Sequence, residues 1–205
     1  MQKAFIHRFF KELEREFGKP AEVILTGAAA GSLLGVNRPS MDIDFEIRVG
    51  RGRRELDQTP VRIAIQKIVD RLGVAANYSD DIGHWSMINL LDYRKKAFSY
   101  LKMGKLHIRL MKPEYWTIGK MGRFLEIDLR DVIRMIRGKK LKPGSLIPLW
   151  GRALRASPLS PDLDNFRRNV THFIERYGKR AWGKKFDAKE SVLLFEKSAG
   201  IVRNF

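Results

Sequence analysis

The chain has 205 residues and no cysteine, which excludes disulfides, thiol catalysis and cysteine-based zinc sites. Its 40 lysines and arginines against 23 acidic residues give a net charge of +17. Such a charge favours a polyanionic partner, the alternative being a soluble protein that is merely basic. A hydrophobic fraction of 44% supports the packed core of one domain with an appendage, or of two small domains.

The first predicted element is an amphipathic helix that ends at Gly18 and Pro20. Its apolar residues recur every three or four positions and are Phe5, Ile6, Phe9, Phe10, Leu13 and Phe17. Because this stretch is amphipathic and no apolar run reaches the length of a bilayer span, the sequence predicts neither a signal peptide nor a membrane partner. We therefore expect a cytoplasmic protein.

A strand, a glycine turn and a second strand with two acids follow. Residues 23–25 are apolar, and Gly27 ends this strand before a short helix whose free N–H groups suit phosphate. Side chains on a strand alternate between faces, so Asp42 and Asp44 point the same way. Mg²⁺ is the usual group between such carboxylates, which predicts metal-assisted phosphoryl or nucleotidyl transfer. A solvated strand face is the alternative.

The next elements surround this stretch. Gly50–Arg54 forms a basic turn near the mouth of the predicted site, or a solvated loop. A helix is predicted from Thr59 until Gly73. Strands are then predicted at 85–91 and 105–110, with His107 and Arg109 on the polar face of the second, where they contact phosphate or are simply exposed.

The remainder is predicted to be helical. One helix opens at Pro113 and carries Lys120 and Arg123 on one face. Another spans 128–137, and a linker follows at 139–145. A helix starting at Ser160 precedes Gly178–Phe186, a basic loop with aromatic residues that suits single-stranded RNA or equally a surface loop with buried anchors. A capping box at 187–190 starts the last helix.

The glycine turn and the Asp42-Ile43-Asp44 strand resemble the nucleotidyltransferase superfamily. With Arg38 and Ser40 before the acids, the sequence looks most like the nucleotidyltransferase-like toxins of abortive-infection and toxin–antitoxin systems. The Lys120-x-x-Arg123 and Asp128-x-x-Asp131 pairs resemble the same branch. The resemblance covers roughly the first two-thirds of the chain. It implies an α/β fold, a short mixed sheet flanked by helices over residues 1–138, with a basic helical extension over 139–205.

The resemblance also implies an activity: transfer of NMP from an NTP to a hydroxyl, with Mg²⁺ or Mn²⁺ held by Asp42 and Asp44. RNA, in particular tRNA, is the expected acceptor because of the charge, and an antitoxin protein is an expected partner. The implied catalytic residues are Asp42, Asp44 and Lys120. The implied nucleotide-binding residues are Gly27, Ala28, Ser32, Arg38, Ser40 and Arg123.

The sequence departs from the family pattern at two points. Ala28 stands where the family has Gly or Ser, and Ser32 lies one turn later. The third carboxylate of the family is replaced by Asn89 on the strand predicted at 85–91, with Glu46 and Asp92 as substitutes. Two further functions therefore stay open: a catalytically impaired protein that binds nucleic acid or a partner protein, and an enzyme whose acceptor is a protein or small molecule.

Overall fold

The computed structural model describes residues 2–36, 39–40, 42–50 and 57–201. They form an α/β structure with a five-stranded mixed sheet, as the sequence predicts at this coarse level. The chain divides into two compact units, residues 1–82 with 94–112 and residues 83–93 with 113–205. The predicted division at 138/139 falls inside the second unit. None of the helices in the described ranges has both the length and the apolar character of a bilayer-crossing segment.

The first unit contains the sheet and the helices that cover it. Its elements are α1 (Lys3–Phe17), β1 (Ala21–Leu25), α2 (Gly27–Leu33), β2 (Asp42–Val49), α3 (Thr59–Leu72), β3 (Ala75–Ser79), β4 (Phe98–Met103) and β5 (Leu106–Leu110). A 3₁₀ turn (Ile82–Trp85) and the one-turn helix α4 (Tyr93–Lys96) lie where the chain passes between the units.

The strand order is β3-β2-β1-β5-β4. The β1/β2 and β4/β5 pairs are antiparallel, whereas β2/β3 and β1/β5 are parallel. Two predictions from the sequence are confirmed: the first helix is α1, and the strand at 105–110 is β5. The helix that the sequence places between Thr59 and Gly73 is confirmed as α3, which ends where Gly73 adopts a left-handed conformation.

One face of the sheet is apolar because alternate residues of β2 are Ile43, Phe45 and Ile47, all at most 1% exposed. Phe9 and Phe10 of α1 contact Phe45 with ring centroids 5.9 and 5.4 Å apart. Burial of each such ring contributes about 2–3 kcal/mol. The opposite face of β2 carries Asp42, Asp44, Glu46 and Arg48, so these four charged side chains of β2 all lie on one side of the sheet.

The second unit is helical. It contains α5 (Pro113–Arg123), α6 (Glu126–Lys139), α7 (Pro143–Ala156), α8 (Pro161–Trp182) and α9 (Ala188–Ala199). Trp150 is fully buried in its core, and the indole Nε1 donates to Thr117 Oγ1 at 2.9 Å. The segment predicted as a linker is a three-residue turn, because α6 continues to Lys139 and α7 begins at Pro143.

The basic aromatic segment is not the loop that the sequence favours, because α8 continues through Gly178 to Trp182. A Cβ on Gly178 would lie 2.1 Å from the Phe186 ring, so glycine lets that ring reach the helix. Trp182 stacks on Phe186 at 4.8 Å, and its Nε1 donates to the Leu141 carbonyl oxygen at 2.8 Å. These contacts favour the reading in which the rings are internal anchors.

The prediction of a strand at 85–91 is wrong. This stretch contains no strand and belongs to the second unit, where Ile88 and Leu90 are buried. Asn89 Nδ2 donates to the Ala156 carbonyl oxygen at 3.2 Å, and its Oδ1 accepts from the Leu91 N–H at 2.6 Å. The apolar residues there therefore serve a helical core, and the third strand of the sheet is formed earlier, at Ala75–Ser79.

Candidate active site

Asp42 and Asp44 lie on the same face of β2, as the two-residue period of a strand predicts. Both side chains are half-buried, and the intervening Ile43 is completely buried on the other face. Both also hydrogen-bond to one common side chain, which places their carboxylates next to each other. The pair is therefore a compact, doubly charged group on the polar face of the first unit.

Asn77 on β3 is the common partner. It lies opposite Asp44 in the parallel pairing, and its Nδ2 donates to Asp44 Oδ1 at 2.9 Å and to Asp42 Oδ2 at 3.3 Å. Asn77, and not Asn89, therefore stands beside the acids on a neighbouring strand. The sequence does not reveal this strand by its pattern, because β3 has no buried residue and lacks apolar alternation. The available signal is the short stretch after the helix stop at Gly73.

The glycine turn lies against Asp44. Gly27 has φ +55°, and a Cβ at this position would lie 1.7 Å from Asp44 Oδ2. The Ala28 N–H donates to the same oxygen at 3.4 Å, and the Thr26 N–H donates to the Asp44 carbonyl oxygen at 3.0 Å. Glycine is thus required both for the backbone conformation and for the space that the carboxylate occupies.

The remaining residues of the predicted nucleotide site have different surroundings. The Ser40 hydroxyl donates to Asp42 Oδ1 and so orients that carboxylate. Ser32 Oγ is buried on α2 and has no hydrogen-bond partner in the described residues. Arg38 lies outside the described residues, and so do Arg51–Arg54 of the basic turn.

Glu46 continues the line of acids along β2 but is fully buried in an ion pair. Arg94 Nε donates to Glu46 Oε1 at 2.7 Å, and the Ile82 N–H donates to Glu46 Oε2 at 3.3 Å. Asp92 belongs to the second unit and accepts from the Tyr115 hydroxyl at 2.8 Å. The two acids expected as substitutes for a third carboxylate are therefore already engaged by protein groups.

The residues present suit a divalent cation in one respect and not in another. Among the described residues, each of the four carboxylate oxygens of Asp42 and Asp44 accepts a hydrogen bond, and an oxygen with one such bond keeps lone-pair capacity for Mg²⁺. In the described ranges, however, no group of three or more His, Cys, Asp or Glu side chains is arranged to hold a metal. A cation here would complete its ligands with water and phosphate oxygens, as Mg²⁺ usually does.

Lys120 and Arg123 lie in the second unit, on α5, where both contact acids of α6. Lys120 is 4% exposed, and its Nζ donates to Asp128 Oδ1 at 2.8 Å and to Asp131 Oδ2 at 3.1 Å. The same Nζ lies 4.9 Å from the centroid of the Trp116 ring. Arg123 forms two bonds of 2.8 and 2.7 Å with Asp128. The two basic residues of the Lys120-x-x-Arg123 stretch therefore pair with the acids of the Asp128-x-x-Asp131 stretch.

The electrostatics of Asp128 follow from these contacts. Burial acts to raise the pKa of this carboxyl, but the hydrogen bonds from Arg123 and Lys120 outweigh it, and the pKa is lowered from its ordinary value. The buried lysine connects α5 to α6, and its removal would leave two buried carboxylates without this cation. A catalytic role for Lys120 and a nucleotide contact for Arg123 stay predictions.

Comparison of the chain with protein-family models, with curated proteins and with solved structures finds no match in any of the three.

Proposed function

We propose that the chain is a nucleotidyltransferase, which transfers NMP from an NTP to a hydroxyl with the help of Mg²⁺ or Mn²⁺. The observation that supports this proposal is the cluster of Asp42, Asp44 and Asn77 against the Gly27 turn. The sequence resemblance supplies the family, and with it a nucleotidyltransferase-like fold for the first unit. A role as a toxin, an antitoxin partner and a cytoplasmic location are proposed on that resemblance alone.

Each residue of the cluster, and each residue beside it, has a separate role in the proposed reaction. Asp42 and Asp44 hold the cation, Ser40 orients Asp42, and Gly27 leaves room for Asp44. Asn77 keeps the two carboxylates together, and a half-turn of its amide would present Oδ1, an oxygen ligand of the kind that cations accept. The bound cation would neutralise phosphate charge and orient the reacting oxygens.

The reaction requires positioning more than covalent help from the protein. The acceptor oxygen forms a bond to the α-phosphorus as the bond from that phosphorus to the bridging oxygen of pyrophosphate breaks. Pyrophosphate leaves, and the hydroxyl proton passes to solvent. RNA, in particular tRNA, is the proposed acceptor because a chain with net charge +17 favours a polyanion.

The test is transfer of label from each α-labelled NTP to total RNA in the presence of Mg²⁺. Asp42→Asn and Asp44→Asn keep the side-chain size and should each reduce transfer by about 100-fold or more. Asp70→Asn, on the exposed side of α3, is the matched control and should retain full transfer. Transfer that survives both site substitutions would show that the assigned site is wrong.

One observation favours a second candidate, a catalytically impaired protein of the same fold that binds nucleic acid or a partner protein. The position beside the acids on β3 carries the amide of Asn77, not a third carboxylate. Absence of calorimetric NTP binding in Mg²⁺, together with salt-sensitive RNA binding, would favour this candidate. Salt-insensitive transfer without RNA binding would instead point to a protein or small-molecule acceptor.

A further inference from the structure

A cavity of about 660 Å³ opens in the first unit, at the end of β2 that lies away from the two acids. It is lined by residues of β1, β2, β4 and β5. We call it the basic groove and define it by Arg48, Lys102, Lys105, His107, Ser99 and Glu22. The proposed catalytic cluster contains none of these residues.

Sheet register places four of these side chains in one row. Glu22 of β1 lies opposite Arg48 of β2 and beside His107 of β5, and His107 lies opposite Lys102 of β4. Neighbouring strands are about 4.8 Å apart, so the row extends across about 14 Å. This is longer than a single phosphate group and suits several phosphates in succession.

The groove is electropositive. Glu22 is the one carboxylate among the six residues that define the groove. It accepts a hydrogen bond from Arg109 Nη1 at 3.0 Å, and the arginine balances the charge of Glu22. Arg48 and Lys102 are exposed, and neither side chain has a hydrogen-bond or ion-pair partner in the part of the chain that the structure describes. Lys105 Nζ donates to the Gly18 carbonyl oxygen at 2.8 Å, which is an uncharged acceptor.

A hydroxyl and an imidazole complete the lining. Ser99 Oγ lies 3.0 Å from His107 Nε2, and both side chains are accessible. Hydroxyl and imidazole groups can donate to phosphate oxygens but add no fixed charge. The groove therefore combines charge for attraction with groups that can position a backbone.

We propose that the basic groove binds successive phosphate groups of a nucleic-acid strand. Arg48 and Asp44 lie on the same face of β2, four residues apart, which corresponds to about 13 Å. That separation spans a few nucleotides of a strand, because stacked nucleotides rise about 3.4 Å each and unstacked nucleotides extend further. A strand held in the groove can thus reach the acidic pair with its hydroxyl, and this second step rests on the proposed function.

Anisotropy of a labelled 12-nucleotide RNA, with a DNA strand of the same sequence as a second arm, tests the groove. Arg48→Gln combined with Lys102→Gln should weaken binding by roughly tenfold and reduce the salt slope by about 1.4. The matched control is Lys11→Gln with Arg62→Gln, which removes the same charge from exposed positions on α1 and α3. It should change the affinity by less than about twofold.

Equal losses in the two double variants, or no loss in the groove variant, would overturn the proposal. Comparison of the two arms shows whether RNA or DNA supplies the phosphates. Calorimetry of NTP with Mg²⁺ separates this result from the proposed function, because the groove variant should bind NTP like the wild type. Failure of the wild type to bind NTP would refute the transferase proposal while leaving the groove result intact.

Discussion

Asn77 and Asp44 are direct neighbours in the parallel pairing of β2 and β3, and the Asn77 amide donates to Asp44 and also to Asp42. An amide here does two things. It bridges the two carboxylates without adding a positive charge, and it marks the place where a third carboxylate would face the same centre.

Replacement of Asn77 with Asp should make the stability of the chain dependent on Mg²⁺. Three carboxylates would repel one another without a cation, so the melting temperature should fall in EDTA and rise when Mg²⁺ is added. Asn77→Ala is the control, since it removes the amide without adding charge. Thermal unfolding of both variants across a Mg²⁺ series measures this. A variant Asn77→Asp that melts at one temperature with and without Mg²⁺ would contradict the assignment.

Replacement of Gly27 with Ala should destabilise the first unit more than replacement of Gly18. Both glycines have positive φ, near +60°, which costs an alanine about 1–2 kcal/mol. Only at Gly27 would the new Cβ also displace Asp44, whereas Gly18 has nothing within 4 Å. We expect a loss of about 3 kcal/mol or more for Gly27→Ala by urea unfolding. Equal losses for the two variants would show that Asp44 does not occupy that space.

The sequence predicted the two acids, the glycine turn and α1, since each depends on a local pattern. It did not predict β3, because Ala75–Ser79 alternates poorly and is held by its pairing with β2. The apolar residues Ile88 and Leu90 suggested a strand in its place, although they are buried in a helical unit. The pairing of β3 with β2, which no short sequence pattern contains, therefore brings Asn77 to the two acids.

Gly178 shows the same limit in the second unit. Glycine among lysines and arginines favoured a loop, but Gly178 lies within α8. Glycine suits this position because a side chain would collide with the Phe186 ring. The need for that space comes from a residue eight positions away. The low helix propensity of glycine would by itself weaken the helix at this point.

Replacement of Lys120 with Met should destabilise the second unit by about 3–5 kcal/mol, because Asp128 and Asp131 would lose their buried cation. Arg130→Met is the control: its ion pair with Glu126 is exposed, and its loss should cost no more than about 0.5 kcal/mol. Denaturant unfolding compares the two. A stable Lys120→Met variant that has lost only transfer activity would favour a purely catalytic role for Lys120.

Tyr115 should give the second unit a pH dependence at high pH. Burial and the hydrogen bond to Asp92 raise the pKa of Tyr115 to about 12, above its ordinary value of 10. Because the folded state keeps this proton longer, the stability that Tyr115 contributes is full below pH 10 and is lost as the pH rises towards 12. Unfolding free energies at pH 8–12 should fall less steeply for Tyr115→Phe than for the wild type. Parallel curves would contradict the assigned environment.

We propose that Asp42 and Asp44 hold a divalent cation that bridges to a nucleoside triphosphate. The most direct measurement is a crystal structure with Mn²⁺ and a non-hydrolysable NTP, read by anomalous scattering. We expect one peak at roughly 2.1–2.2 Å from oxygens of both carboxylates, with the triphosphate completing its ligands. A triphosphate bound elsewhere with its metal, while both carboxylates keep only their contacts to Ser40, Asn77 and Ala28, would show that the two acids do not hold the cation.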